Sequence, residues 1–571
     1  MIHRPTLLGC ALALALSIAT PAQAAITIDL SFVNPSSPEY LRFKSFVDAA
    51  VGGNPGYAFS AADAAWMFKL TGQAQYANLA VQMVEAQVSA AETAIAGGNR
   101  PEISGDQYLE VGPMIEDLAL TYDWCAAYVT PTQKTRWGNY AQQAVWNVWN
   151  HASASWGGNP FPWAGWGVND PANNYHYSFL RATMYWGLAS NNATWINLLQ
   201  NDKWPEQLAY TATLAGGGSE EGTGYGLSHG TLFEIYHVWK DSTGQDVANS
   251  NAHVKDSIEW WIHATVPTLD RVAAIGDQSR VSEPVIYDYH RKLMLHARAS
   301  SNDAAARDDA SWWLHAIPNQ DMESGFNYRH NLQSAGAGGT PPASLVYHGS
   351  GTGQLFARTG WDTGAMWLNF SAGPYEQSHA HQDQGSFTLF ENDWLAVTEN
   401  IWTHSGIQQG TDTHNVLRFE HNGSIVPQRT GTESTMTVTP GNGGAVHAVA
   451  NLTPAYDGDS AVGSWQRTID FGARKLTVSD AFTLGANTQA IFQVNTPAQP
   501  MINGLTATAG ALKIRVIAPA NATLSALDWT TRSDGDETYN SGWRLDVSGS
   551  SSGYVVEFST SDTIFANGFE A

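Results

Sequence analysis

Near Asn319 the spacing of apolar residues changes period, and no other feature constrains the fold as strongly. Upstream, apolar residues recur every three to four positions; downstream, they alternate. The first spacing stripes one side of a helix and the second stripes one face of a strand. Residues 60–88 carry the helical pattern, broken at Thr71-Gly72. In the next stretch Ile115, Leu118, Ala119 and Tyr122 share a face, Thr130-Pro131 restarts the chain, and Trp137, Tyr140, Ala141 and Ala144 share another. "NNYHYSFLRATMYWGLAS" and "GTLFEIYHVWK" continue the scheme. Successive helical hairpins with Gly- and Trp-rich loops predict an incomplete α/α toroid around a cleft. After the Gly/Pro-rich stretch 334–344 come short alternating runs, among them "GQLFARTGW", "AMWLNFSAG", "KLTVSDAFTLG", "TQAIFQVNT" and "GYVVEFST". These predict an antiparallel β-sandwich. The fold class is therefore α+β, with the toroid over 25–325 and the sandwich over 326–560.

The ends read differently. Residues 1–24 have Arg4, an apolar run and the small-residue site Ala22-Gln23-Ala24, the three parts of a secretory leader. The expectation is cleavage after Ala24 and a secreted or periplasmic protein, with no later stretch apolar for long enough to insert in a membrane. The tail 561–571 reads equally as a sorting signal or a frayed end. Cleavage removes one Arg and no acid from 28 basic and 52 acidic groups, which moves the net charge from −24 to −25. That excludes nucleic acid as an expected partner. It leaves room for an acidic sugar polymer in a locally favourable cleft. Only Cys125 remains after cleavage, so no internal disulfide forms and a large core must hold the chain. The 23 Trp, 21 Tyr and 20 Phe suit sugar stacking, although most aromatics of any protein fill its core.

One short segment, "SHAHQDQGSF", holds two imidazoles two residues apart. On a strand, His379 and His381 would face the same side. Glu399, in "WLAVTENIW", and His414, in "GTDTHNVLRF", offer further ligands, and two His with one carboxylate is a common zinc set. Taken alone, the spacing fits structural histidines better than ligands.

The run "SHAHQDQGSFTLFENDWLAVTEN…DTHNVLRF" resembles the signature of the heparinase II/III-like polysaccharide lyases. That family joins an N-terminal α/α toroid to a C-terminal antiparallel sandwich, the order read above. The resemblance implies a catalytic or charge-neutralising His379 and a mainly structural zinc held by His381, Glu399 and His414. Many members have Asp where this chain has Glu399. It further implies an Asn/His pair lining the cleft, matched by Asn174 and His176 in "PANNYHYSF", and a tyrosine in a Gly-rich loop, matched by Tyr225 in "GGGSEEGTGYGLSHG".

Such lyases break the C4–O4 bond of a uronic acid by β-elimination. The C5 proton is barely acidic while the neighbouring carboxylate is ionised, so that charge must first be neutralised by fixed donors. Asn174 with His379 or His176 fits that task, and Tyr225, or a histidine, fits the base. An unperturbed phenol titrates near ~10, so a tyrosine base needs nearby positive charge or hydrogen bonding. Trp163, Trp166, Arg291 and His229 are candidate sugar contacts, each with a plain structural alternative in loop anchoring, a surface ion pair or a helix start. Sparse Lys and Arg favour a non-sulfated uronate such as alginate over heparin-type chains. Two rivals stand beside the lyase: a toroid glycoside hydrolase using a pair from Asp170, Glu220, Glu221 and Asp277, and a non-catalytic carbohydrate-binding protein.

Overall fold

A computed structural model describes residues 25–277, 282–377, 379–399, 410–534 and 537–560. The expected leader and tail lie outside the described residues. The helices run in the order α1 (Pro38–Val51), α2 (Ala61–Thr71), α3 (Ala74–Ala96), α4 (Val111–Trp124), α5 (Pro131–Trp149), α6 (Asn174–Ala189), α7 (Ala193–Leu198), α8 (Trp204–Thr213), α9 (Gly226–Thr243), α10 (His253–Ala264), α11 (Asp288–Ser300) and α12 (Ala304–Ala316). Their ends follow the sequence signals. Gly72 stops α2 in the left-handed region, and Thr130 with Gln133 makes a capping box ahead of Pro131 in α5. The Asn173 side chain caps α6, which leaves Asn174 as its first residue.

Helices α2, α4, α6, α9 and α11 lie side by side in that order as the inner wall of the ring, with α3, α5, α10 and α12 packed outside. Ring closure comes from residues 325–332, which lie mostly beyond the expected boundary at 325/326. From this stretch Arg329 bonds Asp63 of α2 at 3.0 Å and Glu116 of α4 at 3.1 Å. The segment therefore packs with the helices, and the alternating pattern starts only at Val346.

Apart from a two-residue pair at Ser155–Trp156 and Asn159–Pro160, strands begin with a sheet of β1 (Val346–Gly349), β2 (Gln354–Arg358), β3 (Trp367–Ser371), β4 (Phe387–Glu391) and β5 (Asp393–Ala396), paired antiparallel in that order. Strands β2, β3 and β4 are buried along their whole length. Their period-two alternation divides the side chains between two cores. Phe356, Trp367 and Phe390 join the helical core, while Leu355, Ala357, Leu368 and Leu389 join the sandwich core. Phe356 meets Trp260 of α10 edge-on with ring centres 5.4 Å apart. Arg358 donates to the carbonyls of His263 and Thr265 at the α10 C-terminus, where the helix presents unpaired acceptors. Beyond this shared sheet lie an eight-stranded and a five-stranded antiparallel sheet, and a bridge from Val397 to Asn495 joins the latter to the end of β5. The runs predicted as strands are strands, with one correction: His379 and His381 precede β4, in a stretch without regular structure.

Candidate active site

A cavity of about 520 Å³ opens at the inner wall. It is lined by the N-terminal halves of the inner helices: Glu110 just ahead of α4, Glu116 and Asp117 of α4, Asn174, Ser178 and Arg181 of α6, Ser228 and Thr231 of α9, and Lys292 of α11, with Tyr225 at the α9 start. Helices that begin together present their partial positive ends together, so an acidic protein here carries a mouth that favours anions.

Tyr225 forms part of the wall, and against its ring lies His379 from the sandwich half. The two ring centres are 3.8 Å apart with planes 30° from parallel. His379 is oriented from behind by Asp277, whose Oδ2 lies 3.1 Å from Nδ1, while Oδ1 of the same carboxylate lies 2.9 Å from His381 Nε2. The Asp277 amide also donates to the His379 carbonyl at 3.1 Å. Burial alone would raise the Asp277 carboxyl, but the bonds to His379 and His381 outweigh it and hold the group below its usual range. The other imidazole nitrogen, Nε2, lies 4.0 Å from Glu221.

Three backbones meet here, and two glycines allow it. A side chain at Gly222 would place its Cβ 2.0 Å from the Ile275 carbonyl oxygen, and one at Gly276, with φ of 64°, would come within 2.8 Å of the His379 oxygen. Glu221 is fully buried and accepts the Asn174 amide at 3.0 Å, which caps α6 a second time. Burial pushes the Glu221 carboxyl up to about 8. Glu220 rises to about 7 through burial and the nearby Glu376 carboxylate.

Several expected contacts are corrected by position. His176 does not face the cavity. Its Nδ1 lies 3.1 Å from the Gly167 carbonyl, its ring abuts Trp149, and burial lowers it to about 4. Two residues on a helix diverge by roughly 200°, so Asn174 and His176 cannot share a face, whereas Asn174, Ser178 and Arg181 do. Arg291 is buried against Asn331 and the Leu314 carbonyl; its neighbour Lys292 lines the cavity. His229 accepts from the Trp261 indole inside the core, while Ser228 faces the cavity. Trp163 anchors its loop, bonding the Asn147 carbonyl and packing on Phe179. Trp166 is 50 % exposed and free of such packing, but it lies outside the cavity lining.

The zinc set expected from His381, Glu399 and His414 is not assembled. The rings of His381 and His414 are 5.3 Å apart, but His381 Nε2 is bound to Asp277, and Glu399 accepts from Ser282 at 3.0 Å. Burial raises the Glu399 carboxyl to about 8, which disfavours the charged form a metal needs. Among the described residues, the group that brings three ligand atoms within 4.8 Å of one another is Glu234, His296 and His330. Its charge is already met. Lys292 Nζ lies 2.8 Å from one Glu234 oxygen, Arg181 lies 3.6 Å from the other, and His296 bonds His330 at 3.0 Å. The ammonium of Lys292 is the cation this trio holds.

Sequence reasoning missed Arg181, Lys292 and Arg329. Arg181 sits two turns beyond Asn174 and was legible from helical spacing. Arg329 lies in short 3₁₀ turns, where no periodicity marks a facing residue.

Toroid, shared sheet and sandwich, with a cavity in the toroid wall, make a fold also found in solved polysaccharide lyases. Solved structures that share it include heparinase III (13 % identity, TM-score 0.63, covering 96 % of this chain and 89 % of that one). Heparan sulfate lyase from Pedobacter heparinus aligns at 15 % identity and TM-score 0.56 over 93 % of this chain and 78 % of its own. Chondroitin AC lyase from Streptomyces coelicolor A3, solved with chondroitin sulphate, aligns at 10 % and 0.55 over 93 % and 81 %. At these identities the likeness is one of fold. No family model and no curated sequence matches the chain.

Proposed function

We propose that this chain is a polysaccharide lyase that cleaves a uronate polymer by β-elimination. The observation that carries the reading is the stack of Tyr225 on His379, with Asn174 on the same cavity wall. The fold neighbours bear the names of lyases of heparin-type, heparan sulfate and chondroitin chains, which supports the class.

In this reading the uronate carboxylate lies at the helix starts. The Asn174 side-chain NH2 and His379 donate to it and offset the charge that grows as the C5 proton leaves. Tyr225 takes that proton, the C4–O4 bond breaks, and a C4=C5 double bond forms. The departing O4 receives a proton, from Tyr225 itself in a syn course or from a histidine on the opposite ring face in an anti course. No water is consumed. Asp277 fixes the imidazole from behind, and an imidazolium beside the phenol would stabilise a phenolate. No step is assigned to zinc, because two of the three donors expected to hold it, His381 and Glu399, are bonded to Asp277 and Ser282.

The hydrolase reading is disfavoured. Asp170, Glu220, Glu221 and Asp277 all lie outside the cavity lining, and of the lining carboxylates Glu110, Glu116 and Asp117, Glu116 is bound by Arg181 and Arg329 and Asp117 accepts the Ala62 amide. The cations on the floor are likewise paired, so the substrate proposed is a non-sulfated uronate such as alginate, with heparin-type chains as the alternative. The leader-like residues 1–24 support a secreted or periplasmic enzyme. Incubation with a panel of uronate polymers tests this: ultraviolet-absorbing product is expected from one of them, and Tyr225→Phe should abolish it. New reducing ends without absorbance would identify a hydrolase instead.

A further inference from the structure

We infer that the cavity is a blind terminal subsite, so that the enzyme removes short unsaturated pieces from polymer ends. This rests on the lyase reading above. Its volume, about 520 Å³, falls in the range that encloses a ligand of drug size, and so one or two sugar rings but not a polymer. Its floor is closed. Glu116, Lys292, Arg329 and His330 are all buried, and behind them Asp63, Glu234 and His296 are buried too. Arg329 seals the gap in the ring by holding both α2 and α4. A chain passing through would need a second opening, and the ion-paired floor closes that path.

The cations of the floor are already paired within the protein, which leaves hydrogen bonding for the sugar hydroxyls. Four buried polar atoms of the lining residues have no hydrogen-bond partner within the protein: Ser60 Oγ, Asn174 Oδ1 and the Nε groups of Arg181 and Arg329. Buried polar atoms ordinarily find partners. These side chains keep hydrogen-bonding capacity just behind the wall, which a small shift on binding would offer to the hydroxyls of a sugar. A sulfate would instead compete with Glu116 or Asp63 for the guanidinium groups and leave a carboxylate stranded. With Tyr225 on the wall, the ring that loses its C5 proton lies at the cavity, and the rest of the chain extends towards the sandwich.

The test follows ultraviolet absorbance and polymer size by light scattering in one reaction of the wild-type enzyme. The expected result is that the earliest products are one to three sugars long while the remaining polymer keeps its mean length. A collapse of mean length while absorbance is still a small part of its final value overturns the inference and leaves the lyase reading intact. Absence of absorbance with every polymer overturns the lyase reading, and this inference with it. A second variant, Thr231→Trp, narrows the cavity from α9. It should lower kcat/KM by at least roughly tenfold with an unchanged melting temperature. A folded Thr231→Trp enzyme with wild-type kcat/KM would also overturn the inference.

Discussion

Arg329 in the ring and Arg467 in the sandwich are both buried and both bound to carboxylates, Arg329 to Asp63 and Glu116 and Arg467 to both oxygens of Asp480. Their remaining donors differ. Arg467 uses Nη1 to hold the carbonyls of Gly385 and Asn415, which fixes the ends of the two segments that carry His379 and His414. Arg329 keeps its Nε without a partner and faces the cavity. A satisfied buried arginine is scaffolding, whereas one left with an open donor is poised for a ligand. The ring thus keeps binding capacity in reserve, and the sandwich supplies one imidazole and the framework behind it.

Substitutions can break that contrast. The largest effects are expected where the halves meet. His379→Ala should lower kcat/KM by about 10²–10⁴-fold and Asn174→Ala by about 10²–10³-fold. Steady-state kinetics on the cleaved polymer reads both, and an unaffected rate in either variant removes that half from the chemistry. Next, Arg329→Met and Arg467→Met should each cost about 3–5 kcal/mol in chemical denaturation, since each strands buried carboxylate charge. They should part in activity: at temperatures where both are folded, Arg467→Met keeps most of its rate and Arg329→Met loses it. Equal losses would mean that the sandwich arginine, too, governs the site.

The smallest effect sharpens the electrostatics. Glu221 has its folded carboxyl raised from 4.5 to about 8 by burial. A raised carboxyl contributes stability that is fully present below 4.5 and is lost as pH climbs through about 8. Glu221→Gln has no such loss. Its unfolding free energy relative to wild type, read by chemical denaturation, should therefore rise between about pH 5 and about pH 9, by an amount on the order of a few kcal/mol at most. A gap that stays constant across that range would show that Glu221 is already ionised.

Much of this was legible in the sequence, for reasons particular to each element. The two halves were readable because apolar period follows backbone geometry, and Thr130-Pro131 and Thr71-Gly72 marked true helix boundaries. Tyr225 and His379 were readable as motif residues, though only the folded chain places their rings in contact. The misplaced contacts fell where single positions decide. Arg291 and Lys292 differ by about 100° around a helix, and motif reading alone does not choose between them. Asp277 was legible only as one of four possible hydrolase carboxylates, because its role depends on a loop from the other half of the molecule.

The shared sheet has one more implication. With β2, β3 and β4 enclosed on both sides, those strands have no solvent face on which polar residues could drift harmlessly. A change at Phe356 disturbs the helices and a change at Leu355 disturbs the sandwich, so adjacent letters of one strand answer to different neighbours. Cutting the chain on either side of this wall would strip an apolar face bare, and the two halves are bound to one another as parties to a single cooperative unit.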